Sequence, residues 1–149
     1  MSVLKKRITE EMKDAMRAKD KQRLGTIRLI LAELKRIEVD ERIELDDARV
    51  LAVLDKMSKQ RRDSITQYDA ADRKDLADTE RQELEVIKTY LPQPLTTEEL
   101  TQMINDAVTA SGASGMQDMG KVMAIIKPQA QGRADMGAIS GLVKASLTQ

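Results

Sequence analysis

Apolar residues recur at helical spacing along nearly the whole chain, and this pattern constrains the fold more than any other feature. Four such stripes lie in the first 91 residues, and three more follow residue 95. In one of them, apolar residues lie at i, i+3, i+4, i+7 and i+8: Leu100, Met103, Ile104, Ala107 and Val108. No window alternates with a period of two for long enough to indicate a strand. The sequence therefore predicts an all-α protein.

Two prolines divide this helical pattern. Pro92 and Pro94 lie within "YLPQPL", where a helix would lose backbone donors and clash with its preceding turn. This predicts an N-terminal four-helix part over residues 1–91, a proline-containing linker over 92–95, and a small C-terminal three-helix domain over 96–149.

Helix signals in the C-terminal part predict where its elements begin and end. Thr96 and Glu99 have the spacing of a capping box, and Asp135 is placed to cap the last helix. Lys127-Pro128 is expected to close the middle helix. The predicted inward face of the last helix consists of Ile139, Leu142, Val143 and Leu147.

Composition excludes several classes of function. With no histidine and no cysteine, the chain lacks imidazole bases, thiol nucleophiles and soft-metal ligands. Its 25 basic and 25 acidic residues give no net charge, unlike a typical nonspecific nucleic-acid binder. No secretory signal and no apolar run approaching about 20 residues occur. We expect a cytoplasmic protein with no cofactor, no metal and no membrane association.

Two motif-like patterns lack residues that the corresponding sites require. Gly115 to Lys121 matches Gly-x-x-x-x-Gly-Lys, but Val122 follows where a phosphate-binding loop needs Ser or Thr, and no strand precedes it. An interhelical turn explains the same letters. Glu80 and Glu83 have one helical spacing, but helical-bundle dimetal sites normally add a histidine three residues after a glutamate.

Two longer runs resemble a known family. "MGKVMAIIKPQAQGRADMGAISGLVKASL" resembles the signature of the GatB/YqeY domain, and "KQRRDSITQYDAADRKDLADTERQELEVIKTYLPQPL" resembles the helical N-terminal part of stand-alone YqeY-like proteins. Together they cover essentially the whole chain. One departure is Met136, where many relatives have glycine, and Gly137 follows at once.

The resemblance implies a function in tRNA biology. The C-terminal domain is similar to the tail of the B subunit of the tRNA-dependent amidotransferase, which contacts tRNA, and to modules appended to some glutaminyl-tRNA synthetases. The catalytic parts of that amidotransferase are too long to fit in this chain. The implied function is that of a noncatalytic tRNA-binding adaptor, with tRNA and an aminoacyl-tRNA synthetase or amidotransferase as partners.

Candidate RNA contacts lie in the C-terminal domain. Its basic residues and two neighbouring glycines form the predicted set: Lys121, Lys127, Arg133, Lys144, Gly120 and Gly132. Lys121 is expected to be a free cation at a helix start. Gly137, Gly141 and Ala145 follow one side of the last helix and predict close approach by a partner backbone. Without Phe, Trp or His for base stacking, the sequence favours recognition of RNA shape.

Two alternatives remain open from the sequence. The glycine stripe could meet a helix of a partner protein associated with tRNA amidation or aminoacylation, which the zero net charge suits. A carbon–nitrogen ligase with glutamine as amido donor rests on family inheritance alone, because no nucleophile–base pair or metal constellation is found.

Overall fold

A computed structural model describes residues 2–130 and 132–148. Across that range the secondary structure consists of seven α-helices and one short 3-10 helix, with no strand, so the all-α prediction is confirmed. In chain order the α-helices are α1 (Val3–Arg17), α2 (Lys21–Glu41), α3 (Asp47–Ala70), α4 (Lys74–Lys88), α5 (Thr97–Ser111), α6 (Met119–Ala130) and α7 (Met136–Leu147). The 3-10 helix covers Met116–Asp118, directly before α6.

The chain divides into two compact units, Met1–Pro92 and Gln93–Gln149. In the first, α1 packs against α2 and α3 runs along α4. Its core is aliphatic apart from Met57 and Tyr90, and its largest fully buried side chains are Ile8, Ile27, Ile30, Leu34, Leu45, Val50, Leu54 and Ile87. A core of this kind needs good interlocking of branched side chains, because Tyr90 is the one aromatic ring among the described residues of this buried cluster.

Side-chain caps fix where α1, α2 and α3 begin, whereas α4 has no side-chain cap among the described residues. Ser2 accepts a hydrogen bond from the Lys5 amide, and Asp20 and Asp46 do the same for α2 and α3. Each cap satisfies an amide that the helix itself leaves unpaired. The left-handed conformation of Arg42, with φ of 55°, ends α2.

The second unit has a core to which each helix contributes three residues. These nine are Leu100, Ile104, Ala107, Val122, Ile126, Ala130, Ile139, Val143 and Leu147. Both predicted caps form: Thr96 and Glu99 make the full capping box of α5, and Asp135 accepts from the Ala138 amide at 3.2 Å. Gly112, with φ of 67°, ends α5 in the left-handed conformation that favours glycine.

Two local predictions for the second unit are wrong. Helix α6 does not stop at Lys127-Pro128 but continues to Ala130. Proline removes only one hydrogen bond here, to the carbonyl of exposed Ala124, and the extra turn buries Ala130 completely. The sequence predicts Leu142 on the inward face of α7, yet 44% of its surface is exposed.

Candidate RNA-binding surface

Helix α6 buries one side and leaves a sparsely covered side open to solvent. Val122, Ile126 and Ala130 are fully buried, whereas Gly120, Ala124 and Lys127 are exposed. At about 100° per residue the three exposed residues lie within about 60° of one another. The result is a strip of nearly bare backbone beside one lysine.

Helix α7 repeats this arrangement. The two helices read "MGKVMAIIKPQA" and "MGAISGLVKASL", and each opens with Met-Gly and has lysine at its ninth residue. Gly137, Gly141 and Lys144 therefore match Gly120, Ala124 and Lys127, and all six are exposed. We call these two sets of three residues the twin lysine faces.

The glycines of the twin lysine faces are not required by packing within the chain. A Cβ atom built at Gly120 or Gly141 would meet no atom within 4 Å, and one at Gly137 would meet only the side chain of Asp135, at 3.3 Å. Glycine in a helix interior costs about 1 kcal/mol relative to alanine. Gly141, in the middle of α7, bears that cost without any visible gain in packing.

The electrostatics of these two helices differ from those of the whole chain. Neither α6 nor α7 contains an aspartate or glutamate, while together they carry Lys121, Lys127 and Lys144. Within the part of the chain that the structure describes, the ammonium groups of Lys127 and Lys144 make no ion pair. The positive charge is thus local, although the net charge of the protein is zero.

Lys121 is not the free cation expected from the sequence. Its ammonium group lies 3.6 Å from the Asp118 carboxylate, which also accepts a hydrogen bond from the Ser114 amide at 3.1 Å. Lys121 remains 71% exposed, and it lies about 120° around α6 from Lys127. It therefore stands apart from the twin lysine faces.

Arg133 and Gly132 form the turn between α6 and α7. The Arg133 amide donates to the Ala130 carbonyl at 2.9 Å, and Gly132 has a φ of 76°, which favours glycine. The Arg133 guanidinium donates to the Gln93 carbonyl at 3.0 Å and lies 3.9 Å from the carboxylate of Glu99. The Arg133 carbonyl accepts from the Leu95 amide at 2.8 Å. Arg133 thus holds the start of its unit in place.

The remaining predicted contact residue is Ala145, which is exposed on α7 close to Gly141. A shallow groove between α5 and α7 is lined by Ala145 together with Thr101, Ile104, Asn105, Leu142 and Ser146. Ala124 was missed at the sequence level. The signal that finds it is the alignment of the two helices, which pairs it with Gly141.

Several other site types find no support in the described residues. The segment before α6 is a 3-10 helix that follows α5, so the strand required by a phosphate-binding loop is missing there. Residues 2–130 and 132–148 hold no cluster of three or more carboxylate, histidine or cysteine side chains that could bind a metal ion. No helix in the same ranges has the length and hydropathy of a membrane span.

Arg61, in the first unit, forms ion pairs with Glu80 and Glu83, the two glutamates considered above for a dimetal site. It lies 3.1 Å from Glu83 and 3.8 Å from Glu80. Partial burial, followed by the negative charge of Glu83, raises the pKa of Glu80. The cluster is an ion-pair network between α3 and α4.

Several relatives of the chain are fungal proteins. It is 34% identical over 120 residues to "Altered inheritance of mitochondria protein 41, mitochondrial" of Vanderwaltozyma polyspora, covering 75% of this chain and 64% of that protein. The protein of the same name from Lachancea thermotolerans is 38% identical, and the match covers 58% of this chain and 46% of that protein. The one from Pyrenophora tritici-repentis is 28% identical, and the match covers 89% of this chain and 74% of that protein.

These relatives correct one prediction and limit what can be transferred. Their printed names point to mitochondria, so the predicted cytoplasmic location is wrong by this comparison. The matched part of the chain spans about half to just under two thirds of the length of the first two relatives.

A match to a family model settles the family. The model described as "Yqey-like protein" matches residues 5–147, which include all of α2 to α7 and most of α1. The resemblance inferred from the two sequence runs is thereby confirmed, and the chain belongs to the YqeY-like family.

Proposed function

We propose that this protein is a noncatalytic tRNA-binding adaptor whose RNA surface is formed by the twin lysine faces of α6 and α7. One observation carries the proposal. Two consecutive helices repeat the same exposed pattern of glycine, small residue and lysine, and neither contains an acidic residue.

The chemistry of such a surface suits a folded RNA. Lys127 and Lys144 supply ammonium donors for phosphate oxygens, which position an RNA without reading its sequence. The bare backbone at Gly120 and Gly141 lets a ribose-phosphate chain approach closely, because no atom lies within 4 Å of the position that a Cβ would take; at Gly137 only the Asp135 side chain lies that close. Since the chain has no Phe, Trp or His to stack on bases, the proposed recognition is of shape.

The other predicted residues have secondary parts in this proposal. Lys121 lies outside the twin lysine faces and adds an exposed cation on another side of α6. Ala145 extends the small-residue side of α7. Gly132 and Arg133 fix the turn that joins the two helices, and Arg133 contacts RNA through the N–H groups that Gln93 and Glu99 leave unoccupied. An aminoacyl-tRNA synthetase or amidotransferase is the proposed partner on the same tRNA.

Charge-removing variants with a matched control test the proposal. Binding of total tRNA is measured by fluorescence anisotropy between about 50 and 200 mM salt, the range over which phosphate contacts weaken steeply. Lys127→Ala/Lys144→Ala should weaken binding and reduce the slope of log K against log salt by about 2, one for each lost phosphate contact. Lys59→Ala/Lys74→Ala removes two exposed lysines of the first unit and should change neither.

Three results would count against this function. Absence of binding at low salt by the folded protein would exclude direct tRNA binding. If Lys127→Ala/Lys144→Ala and Lys59→Ala/Lys74→Ala changed the affinity equally, the twin lysine faces would not be the specific RNA surface. A protein partner that binds the same surface with little dependence on salt would favour the alternative of a protein-interaction module.

We also propose that the N-terminal four-helix part and the C-terminal three-helix part are independent domains joined by the proline-containing segment 92–95. Gln93 and Leu95 hydrogen-bond to Arg133, so a C-terminal fragment should begin at Gln93 to retain these contacts. Cooperative thermal unfolding of fragment 93–149 would support the division. A fragment without helical circular dichroism would contradict it.

A further inference from the structure

Helix α2 carries a second apolar stripe on the side opposite the core. Its buried residues are Thr26, Ile27, Ile30 and Leu34. The exposed stripe, which we call the α2 seam, consists of Gly25, Leu29, Ala32, Arg36 and Val39. Leu29 is 47% exposed and Val39 65% exposed, and Ile43, just after the helix, continues the stripe at 42%.

The spacing of the α2 seam is that of a coiled-coil interface. Its members follow one another at intervals of four, three, four and three residues, which are the a and d positions of a heptad. From Gly25 to Val39 the seam is about 21 Å long, at about 1.5 Å per residue. Two helices packed along it would bury two heptads.

Charged residues on either side of the seam are sorted by sign. With Leu29 as position a, the g positions are Arg28 and Lys35, both basic, and the e positions are Glu33 and Asp40, both acidic. In the described ranges of the chain, the side chains of Arg28 and Lys35 have no ion-pair partner. Their charges are available to a second molecule.

This arrangement of charges indicates which helix can bind to the α2 seam and in which orientation. In a parallel pair of helices, each g residue faces the e residue five positions later on the other helix. Arg28 and Lys35 would therefore meet Glu33 and Asp40 of a second copy, and the reverse pairs form by symmetry. An antiparallel pair would oppose like charges. We propose that the α2 seam binds a second copy of this chain in parallel orientation.

Arg36 lies in the middle of the seam at an a position. On its own helix it pairs with Glu33 at 2.6 Å and with Asp40 at 3.1 Å, which offsets repulsion from the Arg36 of a second copy. The hydrogen bond from Arg36 lowers the pKa of Glu33, and the positive charge of Lys56 on α3 adds a smaller effect in the same direction. A polar a position reduces affinity but fixes the register of a helix pair.

The dimer should be weak. A single helix face two heptads long falls short of the about 1,000 Å² that a stable interface buries in total. We therefore expect a concentration-dependent equilibrium that weakens as salt rises, because the flanking pairs are exposed and screened.

Charge exchange at the flanks provides the first test. Sedimentation of the full chain between about 10 µM and 1 mM, a range suited to weak affinity, should show a monomer–dimer equilibrium. Glu33→Lys/Asp40→Lys makes all four flanking positions basic, and Arg28→Glu/Lys35→Glu makes them all acidic. Each variant alone should remain monomeric, and an equimolar mixture should dimerise at least as well as the unaltered protein.

An engineered cysteine tests the orientation. The chain has no cysteine, so Val39→Cys introduces a single thiol at a d position. Parallel pairing brings the two thiols within disulfide reach, whereas antiparallel pairing places them about 21 Å apart along the seam. Val39→Cys should form a disulfide-linked dimer on mild oxidation much faster than the exposed control Thr79→Cys.

Each measurement has an outcome that overturns the inference. A wild-type protein that stays monomeric at 1 mM and low salt excludes the dimer. A mixture of the two charge variants that stays monomeric excludes the pairing through these flanks. Equal oxidation of Val39→Cys and Thr79→Cys excludes the parallel arrangement, and circular dichroism confirms that every variant is folded.

Discussion

Replacing Gly141 with alanine should make the protein more stable and less able to bind RNA. Gly141 is the sixth of twelve residues in α7, its backbone is helical, and an added Cβ would meet nothing within 4 Å. Alanine is favoured over glycine by about 1 kcal/mol in a helix interior. For a unit of this size that free energy raises the melting temperature by about 4–8 °C.

The matched variant is Ala124→Gly, at the sixth of twelve residues in α6. Ala124 is also exposed, so the substitution should lower stability by about the same 1 kcal/mol. Both effects are measured by calorimetry of the full chain, following the transition of the second unit. A fall in melting temperature for Gly141→Ala would refute the reasoning, because it would require a contact at Gly141 that the structure lacks.

The affinity for tRNA should change in the opposite direction to stability for these two variants. The Cβ of Gly141→Ala would occupy space proposed for the ribose-phosphate chain, so its affinity for tRNA should fall although the protein is more stable. Ala124→Gly opens that space on α6 and should bind at least as well as the unaltered protein. Equal affinities for all three proteins would show that the bare backbone does not contact RNA.

Three further outcomes follow from single contacts. Hydrogen bonds from Lys5 and from the Leu45 amide lower the pKa of Glu38 below its usual value of 4.5. The ionised Glu38 therefore stabilises the fold above pH 4.5, and this contribution is lost as the pH falls through the folded pKa. Glu38→Gln should reduce the loss of unfolding free energy at acid pH, measured by urea unfolding at different pH. Ser58 is buried and its hydroxyl has no partner among the described residues, so Ser58→Ala should raise the free energy of unfolding, by up to about 1–3 kcal/mol, and a decrease would reveal a hidden partner. Arg133→Ala removes a hydrogen bond to a backbone carbonyl and should lower the melting temperature of the second unit at every salt concentration, whereas a purely surface arginine would have no such effect.

Local signals in the sequence were strong enough to predict the helices and their starts. Thr96 with Glu99 and Asp135 act through residues three positions away, and such short-range capping depends little on the rest of the fold. Family membership was likewise accessible, because two long runs carried it.

Features that depend on tertiary packing were not predicted. Pro128 reads as a helix end, but burial of Ala130 outweighs the one lost hydrogen bond. The pairing of Lys121 with Asp118 depends on a 3-10 turn that sequence periodicity does not reveal. The α2 seam was not predicted, because the sequence shows apolar residues on both sides of α2 but does not show that one of those sides stays exposed.

The most direct test of the RNA proposal is to map bound tRNA onto the backbone. Amide spectra of ¹⁵N-labelled full chain are recorded with and without total tRNA at low salt, where glycine amides fall in a well-separated region. We expect shifts or broadening centred on Gly120, Ala124, Gly137 and Gly141, with the first unit little affected. Changes confined to residues before Pro92, or an unchanged spectrum at saturating tRNA, would contradict the RNA proposal.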